Sequence, residues 1–225
     1  MKRTSRVITS AAILACVVAT TAYAEKIKIN MPSTFAGSLT QLGTAGVRFS
    51  ETVNLISGGD IEVKFYDPNA LIPPLEIYDN VSTGAVDAGW STSGYWGSKN
   101  SALNLFAAVP FGLNAQEMNS WLYHGGGMEL WEEEYAKYGL VPGAAGNTGV
   151  QMAGWFNKEI KTSADLKGLK MRIPGLGGDV LKKLGGTPVG LPGGEIAPAL
   201  QSGAIDATEW VGPYNDYFMK FYEAA

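Results

Sequence analysis

The sequence has almost no cysteine or histidine, and this scarcity excludes several kinds of active site. Among its 225 residues, Cys16 is the single cysteine and His124 is the single histidine. Cys16 lies in an N-terminal segment that we expect to be cleaved, so the mature chain has no thiol for a disulfide, a cysteine-based zinc site or a nucleophile. One histidine is too few for a histidine metal cluster. The sequence also contains neither a G-x-x-x-x-G-K-[ST] nor an H-E-x-x-H motif.

The sequence has only one long apolar run, and it lies at the N-terminus. Three basic residues precede the run from Val7 to Ala22, and Ala22-Tyr23-Ala24 is a typical cleavage site. The run is shorter than the roughly 20 predominantly apolar residues that a spanning helix needs. Residues 1–24 are therefore predicted to be a secretory signal peptide. The alternative is a lipoprotein cleavage site before Cys16.

Positive charge is scarce in the mature chain. Cleavage after residue 24 removes three of the 17 basic residues and none of the 21 acidic ones, which leaves 201 residues with a net charge of −7. This balance argues against nucleic acid and anionic membranes as partners. A small anion could still bind through a local arginine or a metal ion. The length allows one large or two small domains.

Strand and helix patterns alternate along the chain and predict an α/β fold. Residues 26–31 and 61–66 alternate apolar and polar side chains, as strands do. Residues 38–57 and 75–83 have helical spacing and end at glycines. Leu103 to Val109 is an apolar run that we interpret as a buried strand. This order of elements indicates parallel strands joined by helices.

One motif occurs twice. The sequence from Ser82 to Trp90 resembles that from Gln201 to Trp210, because both contain [Ser/Thr]-Gly-Ala-[Val/Ile]-Asp-Ala followed by a tryptophan. We interpret this as two similar α/β lobes, residues 25–145 and residues 146–225, that face a shared cleft. The alternative is that the motif suits any corner between a helix and a strand.

A single arginine lies at the end of a short predicted strand. Apolar and basic residues alternate between Leu166 and Gly175, and Pro174 should end the strand just after Arg172. Open α/β sheets bind ligands beyond the carboxyl ends of their strands, and a guanidinium group can hold a carboxylate through two parallel hydrogen bonds. The alternative is a surface arginine in an ordinary salt bridge.

Two further segments converge on Arg172 if the second half of the chain forms one sheet. Gln151 precedes an apolar strand, and Glu209-Trp210 ends another. A bound carboxylate about 4 Å from Glu209 would be repelled by roughly 4 kcal/mol at an effective dielectric constant of 20, and Arg172 compensates only one of the two charges. A cation would compensate the other, and the available oxygen ligands suit sodium or calcium. The alternative is that Glu209 pairs with Arg172 or points elsewhere.

Three segments carry a resemblance to a known family. Gly146–Phe156, Leu166–Gly175 and Ala204–Pro213 resemble the extracytoplasmic solute-binding subunits of TRAP (tripartite ATP-independent periplasmic) transporters. The branch that binds α-keto and 2-hydroxy monocarboxylates is the most similar. The resemblance covers essentially the whole mature chain. It implies a two-lobed periplasmic binding protein fold that is similar to type II, with parallel or mixed sheets flanked by helices.

The resemblance also implies roles for individual residues. Arg172 would bind the carboxylate of the ligand. Gln151, Glu209 and the carbonyl oxygen of Trp210 would hold a sodium or calcium ion that also touches the ligand. The other residues that it implies at the ligand are Tyr95, Trp210, Gln151, Phe35, Trp90, Phe111 and Asn147.

The family comparison also sets expectations for partners and extent. Closure of the two lobes in the periplasm would present the ligand to a membrane permease. Members of the family continue beyond Ala225, so we expect a C-terminally incomplete second lobe here and a possible homodimer in the full-length protein. C4-dicarboxylates remain possible ligands.

Two other functions are compatible with the sequence. The first is a secreted metal-assisted enzyme acting on 2-oxo or 2-hydroxy acids, with Glu209 as the general base. The second is the ligand-sensing ectodomain of a receptor, which requires a membrane span after the domain.

Overall fold

The computed structural model describes residues 25–225. The predicted signal peptide, residues 1–24, and its Cys16 lie outside the described residues. The strands are β1 (Ile27–Pro32), β2 (Ile61–Tyr66), β3 (Trp155–Phe156), β4 (Lys170–Arg172), β5 (Thr187–Val189) and β6 (Ala207–Thr208). The α-helices are α1 (Leu42–Ile56), α2 (Ile77–Ser82), α3 (Ala115–His124), α4 (Gly127–Ala136), α5 (Gly175–Lys183), α6 (Gly193–Gln201) and α7 (Pro213–Phe218). Short 3-10 helices cover Pro74–Glu76, Ser93–Trp96, Ser101–Phe106, Ser163–Leu166 and Phe221–Glu223. In this part of the chain, no helix combines the length and apolarity that a bilayer span requires.

The first half of the chain is built on a parallel pair of strands. β1 and β2 pair from Ile27 opposite Ile61 to Pro32 opposite Tyr66. The segment ending at Trp90 lies along the other edge of β1, where the Trp90 N–H donates to the Pro32 carbonyl oxygen over 2.9 Å. Both strands and the first helix agree with the sequence prediction, since their alternating and helical patterns are long and regular.

The second half contains a mixed four-stranded sheet in the order β3-β6-β4-β5. β4 lies in the middle and is parallel to both neighbours, while β3 is antiparallel to β6. Arg172 is the last residue of β4 and pairs with Val189 and Thr208. The predicted α/β architecture with parallel and mixed sheets is therefore confirmed, and Arg172 is at the carboxyl end of a central strand.

The two copies of the repeated motif have the same local structure. Gly84 and Gly203 follow their helices with φ angles of 75° and 72°, values that glycine adopts without strain. In each copy the aspartate accepts the N–H of a residue on the neighbouring strand: Asp87 from Asn30 over 2.8 Å, and Asp206 from Lys170 over 2.9 Å. The motif thus joins a helix to a segment beside a strand, and the division into two lobes stays a prediction.

A shared core joins the first and second halves. Phe35 and Leu39, from the loop after β1, pack against Ile196, Trp210 and Phe221. This packing places the first-half loop beside the end of β6. Residues from both halves therefore surround the carboxyl end of β4.

The predicted strand from Leu103 to Val109 is wrong, because a 3-10 helix covers Ser101–Phe106 and residues 107–109 form neither a helix nor a strand. Leu103 and Phe106 are buried while Leu105 is half exposed, which is the three-residue spacing of a 3-10 helix. The Asn100 side chain accepts the N–H of Ala102 and caps the helix. A short apolar run does not distinguish a buried strand from a buried helix.

Candidate functional site

A wide cleft of about 2570 Å³ lies between the two halves. Its lining includes every residue that the sequence predicted for ligand or cation binding: Phe35, Trp90, Tyr95, Phe111, Asn147, Gln151, Arg172, Glu209 and Trp210. The cleft is lined by many more residues than a small acid could contact. The hydrogen bonds within it distinguish a compact group around Arg172 from residues that lie apart.

Arg172 is the centre of the compact group. Its side chain is only 2% exposed. Nη1 donates to Glu209 Oε1 over 2.6 Å and to the Glu209 carbonyl oxygen over 2.9 Å. Nε donates to the Leu191 carbonyl oxygen over 3.2 Å, and Nη2 donates to the Tyr95 hydroxyl over 3.3 Å. These contacts hold the guanidinium plane in place and use four of its five N–H groups.

The remaining donor capacity of Arg172 is on Nη2. One of its two N–H groups has no partner within residues 25–225, and the other makes only the long contact with Tyr95. A parallel pair of hydrogen bonds uses Nη2 together with Nη1 or Nε, so a carboxylate that accepts such a pair must displace a contact with Glu209 or with Leu191. The sequence left open whether Arg172 and Glu209 form an ion pair. The structure contains this pair, and it is buried rather than at the surface.

Glu209 is a buried carboxyl group with competing electrostatic neighbours. Burial raises its pKa from the ordinary value of 4.5 to about 7, Arg172 acts to lower this pKa, and Asp216 acts to raise it. Desolvation disfavours the charged form of the carboxyl. Additional positive charge close to Glu209 would therefore favour its ionised form.

Aromatic rings enclose the guanidinium group. The Cζ atom of Arg172 lies 5.0 Å from the Trp210 ring centroid and 5.9 Å from that of Tyr95, both within the range of cation–π attraction. Phe35 contacts both rings, with centroids 6.1 Å from Trp210 and 6.3 Å from Tyr95. Trp210 also packs against Gly193, where an added Cβ would lie 2.6 Å from the indole ring. The walls beside Arg172 are thus apolar and closely packed.

The predicted cation ligands lie at the end of β6. Nε2 of the Gln151 side chain donates to the Trp210 carbonyl oxygen over 2.7 Å, so two of the three predicted ligands are neighbours. Rotation of this amide by 180° would place its oxygen there instead. Glu209 adds a carboxylate. This oxygen-only set fits sodium or calcium, and residues 25–225 contain no cluster of three or more His, Cys, Asp or Glu side chains that could hold a metal ion.

Three predicted ligand residues lie apart from Arg172. The Trp90 indole N–H donates to the Leu42 carbonyl oxygen over 2.7 Å. The side chain of Phe111 is fully exposed on a loop, and Asn147 accepts the N–H of Gly149 over 2.7 Å. None of these hydrogen bonds involves Arg172 or Glu209, although Trp90 packs against the core cluster that contains Phe35 and Trp210, and the role of the three residues in ligand binding stays a prediction.

Sequence reasoning missed two groups that shape the site. The Leu191 carbonyl oxygen holds Arg172 Nε, and no side-chain pattern can indicate a backbone contact of this kind. Asp216 is fully buried in the first turn of α7 and accepts the N–H groups of Val211 and Gly212 over 3.0 Å each. The only signal in the sequence was the position of this acidic residue three residues after Pro213, since an acidic residue in the first turn indicates a helix start.

Comparisons with known proteins find similar proteins that match most of the chain. The family model described as bacterial extracellular solute-binding protein, family 7 (DctP), matches residues 33–225. The monocarboxylate 2-oxoacid-binding periplasmic protein of Nostoc sp. (strain PCC 7120) is 47% identical over 182 residues, which are 81% of this chain and 49% of that protein.

Solved structures of similar fold are also found. A TRAP periplasmic solute-binding protein from Colwellia psychrerythraea with bound calcium and pyruvate is 42% identical, with a TM-score of 0.85. One from Pseudoalteromonas atlantica with bound sodium and pyruvate is 43% identical, with a TM-score of 0.86. Each match covers 89% of this chain and 61% of the solved chain. The chain therefore spans about half the length of the curated relative and about three fifths of these solved structures.

Proposed function

The chain belongs to the bacterial extracellular solute-binding proteins of family 7, and we propose that it captures a small 2-oxo or 2-hydroxy monocarboxylate for a TRAP transporter. A sodium or calcium ion binds together with the acid. The loaded protein then delivers the acid to a membrane permease in the periplasm. The predicted cleavage of residues 1–24 supports this location.

The observation that carries the proposal is the buried arginine at the carboxyl end of β4. Arg172 is fixed by Glu209 and Leu191, while Nη2 keeps donor capacity next to Tyr95. The free Nη2 N–H can bind one oxygen of a carboxylate, and displacement of a contact with Glu209 or Leu191 would complete the planar pair of hydrogen bonds. The aromatic walls beside it fit a short apolar substituent better than a second charge.

The cation follows from the charges around Arg172. Glu209 already pairs with the guanidinium, so a ligand carboxylate would add a second negative group to a buried site. Gln151, Glu209 and the carbonyl oxygen of Trp210 would hold the cation. When bound, it would compensate this added negative charge and reduce the repulsion between the two carboxylates. Two relatives more than 40% identical contain pyruvate with calcium or with sodium.

Closure of the two lobes would prepare the bound acid for delivery to the permease. Residues 25–145 and 146–225 are the proposed lobes, and the ligand closes them upon each other to form the surface that the permease recognises. A homodimer of the full-length protein is compatible with this arrangement.

The proposal includes no chemical conversion of the ligand. Glu209 is the candidate base of the alternative, a secreted metal-assisted enzyme. Its pairing with Arg172 over 2.6 Å gives it a role in charge balance in the proposed site.

Isothermal titration calorimetry of the full-length protein tests the proposal. Pyruvate, lactate and succinate are titrated in calcium chloride, in sodium chloride and in choline chloride, and nuclear magnetic resonance follows the ligand afterwards. We expect tight binding of pyruvate or lactate only with calcium or sodium, weak binding of succinate and an unchanged ligand. Conversion of the ligand would support the enzyme instead, and cation-independent binding would overturn the cation site.

A further inference from the structure

Asp216 is a buried carboxylate beside the candidate cation site that the roles described so far leave unused. Its side chain is fully buried, and it has no salt-bridge partner within residues 25–225. Its oxygens accept three N–H groups, two from the backbone and one from the Trp155 indole over 2.8 Å. A group that only accepts hydrogen bonds is best satisfied as an ionised carboxylate, so Asp216 adds a buried negative charge.

One peptide group connects Asp216 to a predicted cation ligand. Oδ1 of Asp216 accepts the N–H of Val211 over 3.0 Å. This N–H belongs to the same planar peptide group as the carbonyl oxygen of Trp210, which lies 2.7 Å from Gln151 Nε2. A carboxylate bound to the N–H polarises the peptide group and makes its carbonyl oxygen a stronger electron donor.

We propose that Asp216 is a positioning residue for the cation. It fixes and polarises the peptide group between Trp210 and Val211, so that the Trp210 carbonyl oxygen binds a cation, and its charge favours a divalent over a monovalent ion. The inference rests on the proposed function, because it concerns the cation assigned there. Groups that hold metal ligands in place in this way strongly affect metal affinity.

The charges of the buried groups lead to the preference for a divalent ion. Arg172 and ionised Glu209 compensate each other, so Asp216 leaves this buried set with one net negative charge. A ligand carboxylate raises the total to two, which one calcium ion neutralises and one sodium ion does not.

The test replaces the charge while keeping the shape of the side chain. Asp216→Asn is compared with the wild-type protein in calcium and sodium titrations, with and without pyruvate. We expect calcium affinity to fall about 10- to 100-fold. Sodium affinity should fall by about the square root of that factor, because the Coulomb energy of a lost unit charge is proportional to the charge of the cation.

Trp155→Phe is the matched control. It removes the indole hydrogen bond to Asp216 but keeps the carboxylate and its contacts with the 210–212 backbone, so the ratio of calcium to sodium affinity should stay as in the wild type. In Asp216→Asn the new amide would face the Trp155 N–H. The double variant Asp216→Asn/Trp155→Phe, which lacks this conflict, is therefore compared with Trp155→Phe. Circular dichroism establishes that each variant is folded.

The outcomes separate the two proposals. Equal losses of calcium and sodium affinity, or no loss, would assign Asp216 only to capping α7 and would overturn the inference. Calcium binding by the wild-type protein without any pyruvate binding would overturn the proposed function, while the cation titrations would still test Asp216. Binding of neither ion by the wild type would overturn both.

Discussion

Replacing Arg172 with lysine keeps the positive charge but removes the planar guanidinium group with its five N–H donors. Arg172 makes four hydrogen bonds, two of them with Glu209. A lysine ammonium group has three donors at a single point, so it cannot keep the contacts with Glu209 and Leu191 and also present a separate donor in a fixed plane to a ligand carboxylate. We therefore expect Arg172→Lys to weaken pyruvate binding strongly.

The magnitude follows from the hydrogen bonds that are lost. A hydrogen bond to a charged group contributes about 1.5–3 kcal/mol, so the loss of one bond to the ligand carboxylate corresponds to about a 10- to 100-fold increase in Kd. Isothermal titration calorimetry with pyruvate at saturating calcium measures this change. Thermal unfolding in parallel separates a loss of affinity from a loss of folded protein.

The matched control is the reverse exchange on the same strand. Lys170→Arg changes an exposed side chain of β4 that lies outside the compact group, and we expect its Kd for pyruvate to stay within about twofold of the wild type. An unchanged Kd in Arg172→Lys would refute the reasoning, because the carboxylate would then be bound elsewhere.

Three further predictions concern the surroundings of the arginine. The pKa of Glu209 is raised by burial from 4.5 to about 7, so the folded protein binds this proton more tightly than the unfolded chain. The free energy of unfolding should therefore fall by at most about 3 kcal/mol as the pH rises from the unfolded to the folded pKa. In Glu209→Gln, the free energy measured by urea unfolding should depend less on pH. Gly193→Ala would place a Cβ 2.6 Å from the Trp210 ring, whereas the added Cβ of the control Gly194→Ala meets no atom within 4 Å. Calorimetry should show weaker pyruvate binding in Gly193→Ala and unchanged binding in Gly194→Ala. Equal affinities of the two variants would contradict the predicted role of the indole. Tyr95→Phe removes a single 3.3 Å hydrogen bond and should change the affinity by less than about tenfold, and a larger loss in the same assay would mean that the hydroxyl binds the ligand directly.

The sequence predicted the position of Arg172 because local rules were sufficient there. Apolar and basic residues alternate up to Arg172, and Pro174 cannot continue the ladder of hydrogen bonds. The same rules failed at Leu103, where a short buried run forms a 3-10 helix. A spacing of three residues between buried side chains is visible only when the burial of each one is known.

The arrangement around the arginine depends on tertiary contacts that the sequence does not encode locally. Sequence spacing alone left open whether Glu209 pairs with Arg172, and the structure places Nη1 of Arg172 2.6 Å from Oε1 of Glu209. Asp216 was missed because two of its partners are backbone N–H groups, which every sequence offers equally, and the third is the indole of Trp155, which is distant in the sequence. The family resemblance named Gln151 and Trp210 together, and the structure brings their polar atoms to 2.7 Å.

A crystal structure of the full-length protein with pyruvate and calcium tests the central claim most directly. We predict that the pyruvate carboxylate accepts hydrogen bonds from Arg172, and that a calcium ion contacts Glu209, Gln151 and the carbonyl oxygen of Trp210 as well as the ligand. Pyruvate bound away from Arg172, or a site that fills without a cation, would contradict the account.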